Sequence, residues 1–227
     1  MTSRPQDLHD PGGKVRLRIG EEVVSRAEFS ADGRYRTVLE RRWDGLPFGS
    51  PGVCAWIMMN PSTADETVDD PTVRRARDFT RRWGFGAMVV LNAFALRATK
   101  PAMLLEADDP VGPGNDAAIA DWAARAERLV VAWGLPPRPL RWRAAQLAAI
   151  VARAGAQPMA LKVTADGQPG HPLYIAGDTP LRPWALPGGS GEQGRGIFGA
   201  LTPPQPPPRA QPRPGRRSAP PARPRSP

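Results

Sequence analysis

The chain has 227 residues, of which 41% are hydrophobic, and a formal net charge of +9 at pH 7. This length accommodates one domain of ordinary size with an appendage. The sequence contains no apolar stretch of roughly eighteen residues that would span a membrane, and no apolar segment of a secretory signal at its start. We therefore expect a soluble, cytoplasmic protein that does not bind membranes. Its composition leaves the oligomeric state open.

The few cysteines and histidines argue against a disulfide and against a metal site. The only cysteine, Cys54, lies in an apolar run and is expected to be a small core residue without a disulfide partner. No Cys/His cluster has the spacing of metal ligands, and no glycine pattern matches a Walker or Rossmann phosphate loop. We expect neither a metal nor another cofactor.

Positive charge and proline are concentrated at the C-terminus. Residues 188–227 carry seven arginines and one glutamate, so +6 of the net charge of +9 lies there, and 11 of the last 27 residues are proline. Such a composition buries too little apolar surface to fold. We predict a loose lead-in at residues 1–20, a single α/β domain at residues 21–187 and a disordered tail at residues 188–227. The tail is either a solvated extension or an electrostatic arm that holds the domain near nucleic acid.

Hydrophobic periodicity and turn signals divide the domain into strands and helices. Asp32-Gly33 joins the first two predicted strands into a hairpin, and Asp70, Thr99 and Asn115 are expected to cap helices. The predicted elements are, in chain order, strands at 23–29, 35–43 and 53–59, a helix at 71–83, a strand at 87–91, a short helix at 99–105, a helix from 115, a strand at 129–133, a helix at 140–154, a strand at 158–163 and an extended segment at 171–175.

The alternation of strands and helices after residue 53 is typical of right-handed crossovers. It predicts an α/β fold with a mainly parallel sheet flanked by helices on both faces. The N-terminal hairpin would form an antiparallel edge of that sheet. Its second strand is rich in arginine, so we expect one of its faces to be exposed to solvent; the arginines are Arg34, Arg36, Arg41 and Arg42.

Two predicted core strands end at an asparagine, Asn60 and Asn92. Because parallel strands point the same way, these side chains and the loop after Trp133 should meet at one edge of the sheet, where open α/β sheets bind ligands. His171 would join them if its loop folds back over that edge. We therefore expect a binding site there.

The residue types at this edge suggest roles in that site. Asn60 cannot act as a general base because a carboxamide does not titrate, but it can orient a water molecule. Asp65 and Asp70 are the nearest carboxylates and either could be a base; Asp70 is more simply explained as a helix cap, so Asp65 is assigned with Asn60 and His171 to catalysis. The residues expected to bind substrate are Pro61, Ser62, Thr63, Asn92, Arg97 and Thr99. The residues expected to contact a nucleic-acid backbone are Arg74, Arg75, Arg77 and Lys100.

Five ordered motifs give the chain a family resemblance. They read NPSTADETVDDPT at 60–72, GFGAMVVLNAFALRAT at 84–99, DPVGPGND at 109–116, AWG at 132–134 and GHPLYI at 170–175. Together they resemble the bacterial and phage family known as domain of unknown function 1643. The layout is also similar to that of the uracil-DNA glycosylase superfamily, with an Asn-Pro motif after a buried strand, a strand that ends in Asn and a late His-Pro motif. That likeness implies a three-layer fold of the same kind.

The glycosylase resemblance implies a role for each of three residues. Asn60 would position the water that attacks a glycosidic carbon, Asn92 would read the base, and His171 would stabilise the departing base. The first hypothesis is therefore an enzyme that hydrolyses an N-glycosidic bond in a nucleic acid or nucleotide. The alternative is a non-catalytic module that binds nucleic acid or a nucleotide, and a third reading is a small phosphorylated metabolite as ligand.

Overall fold

The structure is a computed structural model and describes residues 16–185. The described residues form nine strands and three α-helices. In chain order they are β1 Leu17–Arg18, β2 Val24–Phe29, β3 Arg36–Arg42, β4 Val53–Met58, β5 Val68–Asp69, α1 Pro71–Arg82, β6 Ala87–Asn92, α2 Asn115–Arg125, β7 Arg128–Val131, α3 Trp142–Arg153, β8 Pro158–Ala160 and β9 Arg182–Pro183, with short 3-10 helices at Pro101–Leu105, Arg138–Leu140 and Pro172–Tyr174.

Seven of these strands form a mixed sheet in the order β2-β3-β6-β4-β7-β8-β9, and β1 pairs with β5 in a separate two-stranded sheet. The four central strands β6, β4, β7 and β8 run parallel. The pairs β2-β3, β3-β6 and β8-β9 are antiparallel. The α/β class and the antiparallel edge hairpin are confirmed. The sheet is mixed rather than mainly parallel, because the chain returns after β8 to add β9 as a second antiparallel edge.

Helices cover both faces of the sheet, as predicted. Along β4 the side chains of Cys54, Trp56 and Met58 face α1, and the alternate residues Val53, Ala55 and Ile57 face α2 and α3. All six are buried, which explains why this strand contains no charged residue. Cys54 is a core residue as predicted, and burial raises the pKa of its thiol to about 12.

Helix α1 begins and ends at the signals present in the sequence. The Asp70 carboxylate accepts a hydrogen bond from the Val73 amide at 2.8 Å, and Pro71 occupies the first turn. Gly84 follows the helix with a φ of +83°, a left-handed conformation that favours glycine. The helix is anchored to β4 through Trp56, whose indole donates to Thr80 Oγ1 at 2.9 Å and stacks on Trp83.

The arginines of β3 correct the expectation of a wet strand face. Arg36, Arg41 and Arg42 are each at most 1% exposed, and only Arg34, before the strand, is exposed. They are buried because protein groups accept from most of their terminal donors: Arg41 pairs with Asp69 at 2.9 Å, and Arg42 donates to carbonyls of the loop at Pro47–Pro51. Charge density on a strand was therefore an unreliable indicator of solvent exposure.

Several local predictions are wrong. Gly114, not Asn115, caps α2, and the Asn115 amide donates instead to the carbonyl of Asn92 at 3.0 Å. Lys100 takes the cap position expected for Thr99 and makes no side-chain cap hydrogen bond. The segment expected to be extended at 171–175 contains a 3-10 helix, because His171 caps it.

The two chain ends are described only in part. The end of the predicted lead-in forms β1, and its partner β5 lies between β4 and α1, where no strand was predicted. The predicted tail at 188–227 lies outside the described residues. Within residues 16–185 no helix combines the length and the apolar character needed to cross a membrane.

Candidate active site

A cavity of about 450 Å³ opens at the carboxyl ends of the central parallel strands. Strands β4 and β6 both run into it, and so does the loop after β7. In the sheet β4 lies between β6 and β7. The chain passes from β4 to β6 on one side and then from β6 to β7 on the other side, so the cavity lies at the topological switch point of the sheet. The residues that line it are Arg36, Met58, Met59, Asn60, Ser62, Asp70, Pro71, Thr72, Val73, Val90, Asn92, Ala98, Thr99, Trp133, Gly134, Leu135, His171, Leu173 and Tyr174.

Asn60 is held by the loops that follow β4 and β6. The amides of Ala93 and Phe94 donate to the carbonyls of Met58 and Met59 at 2.7 and 2.9 Å, which joins the two loops. The Asn60 Nδ2 group donates to the carbonyls of Pro61 and Ala98 at 2.9 and 2.6 Å. Because the amide nitrogen is committed to the protein, the carboxamide oxygen is the group left to act as an acceptor in the cavity.

Asn92 lies in the cavity wall next to Arg36. The Arg36 guanidinium donates to Asn92 Oδ1 at 3.2 Å and to the carbonyl of Ala64 at 2.7 Å. This contact fixes the rotation of the Asn92 amide, so that its Nδ2 is left as a donor. Burial lowers the pKa of Arg36 to about 10, with the negative charge of Asp70 opposing that shift. Arg36 is therefore positively charged at neutral pH.

Asp70, rather than Asp65, is the carboxylate in the cavity wall. Its Oδ1 caps α1, and within residues 16–185 its Oδ2 forms no hydrogen bond. Asp65 is absent from the cavity lining, since its Oδ1 accepts hydrogen bonds from the Thr67 amide and hydroxyl at 2.7 and 2.8 Å. Asp65 thus shapes the turn before β5, and Asp70 combines the cap role with a place in the cavity.

His171 reaches the cavity because Gly134 has no side chain. Gly134 has a φ of +73°, and a Cβ atom built on it would lie 3.2 Å from the Cβ of His171. The His171 Nδ1 accepts from the Leu173 amide at 3.4 Å, so the neutral ring carries its proton on Nε2. Burial lowers the pKa of His171, and the Asp70 charge opposes that shift. The ring lies 5.6 Å, between centroids, from that of Tyr174, which is 85% exposed.

Comparison with known proteins identifies the family. The family model described as Protein of unknown function (DUF1643) matches residues 34–173. The chain belongs to this family. The family resemblance predicted from the five motifs is thereby confirmed. No curated protein and no solved structure matches the chain.

The DUF1643 region contains almost the whole cavity lining. It includes the predicted site residues Asn60, Ser62, Asn92, Thr99 and His171, all of which line the cavity, and it ends one residue before Tyr174. The Ser62 hydroxyl is buried there without a hydrogen-bond partner in the described part of the chain. The structure therefore brings together five of the nine residues assigned to catalysis or substrate binding.

The other four lie outside the cavity lining. Besides Asp65 these are Pro61, whose carbonyl accepts from the Ala98 amide, and the buried Thr63. The fourth is Arg97, which is 1% exposed and donates to the carbonyl of Gly33 at 3.0 Å, toward the hairpin. Buried side chains of this kind support the loops around the cavity and do not contact a ligand in it.

The four basic residues expected to contact a nucleic-acid backbone differ in their exposure. Arg74 and Lys100 are exposed, but Arg75 is partly buried and donates to the carbonyl of Ile175 at 2.6 Å. Arg77 is buried in an ion pair with Asp69 at 2.9 Å, so it is not available to a phosphate group. A phosphate-binding face formed by Arg74, Arg75 and Arg77 together is therefore not present.

Sequence reasoning missed Arg36 and favoured the cap role over a catalytic role for Asp70. A signal for Arg36 was present in the topology. An antiparallel strand next to a parallel one starts where its neighbour ends, so the first residue of β3 lies at the carboxyl end of β6. The backbone amide of Arg36 accordingly donates to the carbonyl of Ala95, just beyond β6. Arg36 was not predicted to lie in the site because the arginines of this strand were interpreted as a solvent-exposed face.

Proposed function

We propose that this protein hydrolyses N-glycosidic bonds in a nucleic acid or nucleotide, as the resemblance to DNA glycosylases implies. The observation that carries the proposal is the meeting of Asn60, Asn92, His171 and Asp70 in one cavity at the strand ends. Its volume of about 450 Å³ lies within the range of small-molecule sites. A base in a duplex would have to leave the stack to enter it.

The cavity residues support each part of the reaction. Asn60 Oδ1 orients a water molecule, and the Asp70 carboxylate takes a proton from that water as its oxygen bonds to the sugar C1′. The bond between C1′ and the base nitrogen breaks, and the electron pair leaves with the base. The His171 Nε2–H group donates to the departing base and stabilises its developing negative charge. The net change is the addition of one water molecule across the bond.

Substitution of Asn60 and Asp70 tests this function. Duplex and single-stranded oligonucleotides that carry uracil, hypoxanthine, alkylated bases or phage-type modified bases are incubated with the protein, and abasic sites are detected by alkaline cleavage. We expect release from at least one substrate, with a loss of about 100-fold or more in Asn60→Ala and in Asp70→Asn. Asparagine is as good a helix cap as aspartate, so Asp70→Asn removes the base and retains the cap.

Asp78→Asn is the matched control, because Asp78 lies on the exposed side of the same helix. It should leave the rate of base release unchanged. The proposal fails if no substrate releases a base, or if Asn60→Ala is as active as the wild type.

A non-catalytic nucleotide-binding module is the second candidate. It is favoured by the rigid arrangement of the cavity, where the Asn60 amide and the Asp70 carboxylate both make hydrogen bonds to the protein backbone. Such fixed groups suit recognition as well as catalysis. This candidate predicts nucleotide affinity that falls in Asn60→Ala together with no base release from any oligonucleotide.

A further inference from the structure

Arg36 is a buried cation in the cavity wall that forms an ion pair with no carboxylate of residues 16–185. It is 1% exposed, and its guanidinium donates to two neutral oxygens, the Ala64 carbonyl and Asn92 Oδ1. Its Nε atom is buried without a hydrogen-bond partner in the same part of the chain. A buried charge in this state is costly unless another group pairs with it.

Four other buried arginines show that such a charge is normally paired in this protein. Each of them has a carboxylate at ion-pair distance; the pairs are Arg41 and Arg77 with Asp69, Arg42 with Asp44, and Arg143 with Asp116. Arg36 differs from these four in a second respect, since it lines the cavity. The difference indicates that a ligand in the cavity supplies the anion that the protein does not.

The charges around Arg36 do not cancel its own. Burial is the largest influence and lowers its pKa; among the charged side chains, Asp70 and Asp65 raise that pKa, and Arg41 and Arg97 lower it. Two negative charges are thus set against two positive ones, and the charge of Arg36 is left over. Asp70 lines the cavity as well, but the N-terminus of α1, which it caps, opposes its negative charge.

Two further groups of the cavity lining present donors beside Arg36. The Ser62 hydroxyl is buried and has no hydrogen-bond partner in the described residues. It lies two residues before Ala64, so it belongs to the stretch of loop that Arg36 holds. Asn92 gives its oxygen to Arg36 and keeps its NH₂ group as a donor. Donors therefore come from three segments: β3, the loop after β4, and β6.

A phosphate monoester matches this set of donors. Its three terminal oxygens accept hydrogen bonds in three directions, whereas a carboxylate offers two oxygens in one plane. Arginine binds phosphate strongly because its N–H groups match the spacing of the phosphate oxygens. A phosphodiester continues in two directions, for which a buried wall leaves no room. The apolar lining, with Met58, Val90 and Trp133, suits the ring of a nucleoside attached to that phosphate.

We propose that Arg36, Ser62 and Asn92 form a subsite for the terminal phosphate of a mononucleotide. The inference deepens the proposed function and rests on it for the reaction, because it makes a free nucleotide, rather than a polymer, the molecule that is hydrolysed. Water adds across the bond between C1′ and the base nitrogen, and the products are the free base and a sugar phosphate. The phosphate ester stays intact. Binding of the phosphate requires no catalysis.

Isothermal titration calorimetry with the full-length protein in phosphate-free buffer tests the subsite. The ligands are inorganic phosphate, deoxyribose 5-phosphate, and the four common deoxynucleoside monophosphates with their matching nucleosides. We expect at least one monophosphate to bind about 10-fold or more tightly than its nucleoside, and inorganic phosphate to compete with it. A monophosphate that binds more tightly than deoxyribose 5-phosphate identifies a nucleotide as the source of the phosphate, and equal binding identifies a sugar phosphate.

Substitutions assign this affinity to the subsite. In Arg36→Met the affinity for the phosphate ligands should fall by about 10- to 100-fold, the value of hydrogen bonds to a charged group, and in Ser62→Ala by about 5-fold. Arg74→Met removes an exposed arginine of α1 and should bind like the wild type. Residues 188–227, with their seven arginines, are common to all these proteins, so the differences do not depend on them.

Asn92→Asp keeps the inference testable even where Arg36→Met fails to fold. It places a carboxylate beside Arg36, so we expect a higher melting temperature in phosphate-free buffer and loss of phosphate binding, because the protein now supplies the anion. The inference is overturned if Arg36→Met or Asn92→Asp binds phosphate ligands as tightly as the wild type, or if no monophosphate binds more tightly than its nucleoside. An oligonucleotide without terminal phosphates that loses the same affinity in Arg36→Met would also overturn it.

The results separate this inference from the proposed function. Phosphate binding that depends on Arg36, together with no base release from any nucleotide or oligonucleotide, supports the subsite and refutes the hydrolase. Base release from oligonucleotides that is unchanged in Arg36→Met, together with no phosphate binding, supports the hydrolase and overturns the subsite.

Discussion

Asn60, His171 and Asn92 each have one polar atom bonded to the protein, and this bond fixes the orientation of the other polar atom. Asn60 uses its amide nitrogen on two carbonyls, and His171 uses Nδ1 on the Leu173 amide. Arg36 in turn holds the oxygen of Asn92. Each bond leaves a defined donor or acceptor for a ligand: an oxygen on Asn60, an N–H on His171 and an NH₂ on Asn92. Orientation fixed before binding lowers the entropy cost of binding.

The histidine in the cavity should make the fold sensitive to acid. Burial lowers the pKa of His171 below its unfolded value of about 6.5, so the folded state binds that proton less readily than the unfolded state. Stability is therefore lost as the pH falls through about 6.5, and the loss levels off below the folded pKa. Protonation of Nδ1 would also remove the acceptor that caps the 3-10 helix at Pro172–Tyr174.

Replacement by asparagine tests this prediction. Asn can cap the same turn and does not titrate. We expect the melting temperature of His171→Asn to fall less than that of the wild type between about pH 7.5 and 5. The carboxylates are common to both proteins, so the difference isolates the histidine. Parallel curves for the two proteins would contradict the predicted shift.

At the scale of secondary-structure elements, the sequence predicted most where hydrophobic pattern and local turn chemistry agree. Helix α1 has an apolar stripe, an Asp-Pro start and a glycine after its end, and its observed bounds differ from the prediction by one residue. The central strand β4 is uncharged throughout and was predicted to within one residue. In both elements the determining interactions are local or come from burial alone, which the sequence reports directly.

Prediction failed where a distant partner decides the structure. Arg41 and Arg77 look like surface residues in the sequence, but both are buried because Asp69 lies between them. The meeting of Asn60 and Asn92 was anticipated from strand direction, and that of His171 on the condition that its loop folds back over the sheet edge. Arg36 lines the cavity because β3 pairs with β6, and Asp70 lines it because the N-terminus of α1 borders the cavity. Neither follows from local sequence.

The Asp69 cluster joins three elements, β3, β5 and α1, and should contribute strongly to stability. Arg41 lies 2.9 Å from one carboxylate oxygen and Arg77 the same distance from the other. Asp69→Asn leaves two buried guanidinium groups without their anion, so we expect a loss of about 3–5 kcal/mol in the free energy of unfolding. Chemical denaturation measures it.

Asp121→Asn provides the control for that measurement. Asp121 pairs with Arg125 at 2.9 Å on α2, but both side chains are largely exposed. Its removal should cost about 0.5 kcal/mol or less. Equal losses in the two variants would show that the buried cluster gives no more stability than a surface pair.

At the scale of the whole molecule, the cavity and the net positive charge are separate features. The cavity is built from residues 36–174, where acids pair with most of the buried arginines. Of the net charge of +9, +6 lies in residues 188–227, which leaves +3 for residues 1–187. Charge that attracts nucleic acid acts at long range and without sequence preference, whereas the proposed activity of the cavity concerns a single base. Substitutions in the cavity and removal of residues 188–227 should therefore have independent effects on ligand recognition and on attraction to nucleic acid.

Removal of residues 188–227 should abolish most non-specific DNA binding and leave the cavity intact. The tail carries seven arginines, and each arginine–phosphate contact that is lost should reduce the slope of log K against log salt by about 0.9. We expect weaker binding of the truncated chain to random duplex DNA at about 50 mM salt and a smaller difference at about 200 mM. The Arg36-dependent affinity for deoxyribose 5-phosphate, measured by calorimetry, should stay unchanged, because every residue that lines the cavity lies between 36 and 174. A truncated chain with the same DNA affinity and salt slope as the full chain would instead assign phosphate binding to the exposed basic residues of the domain, such as Arg74.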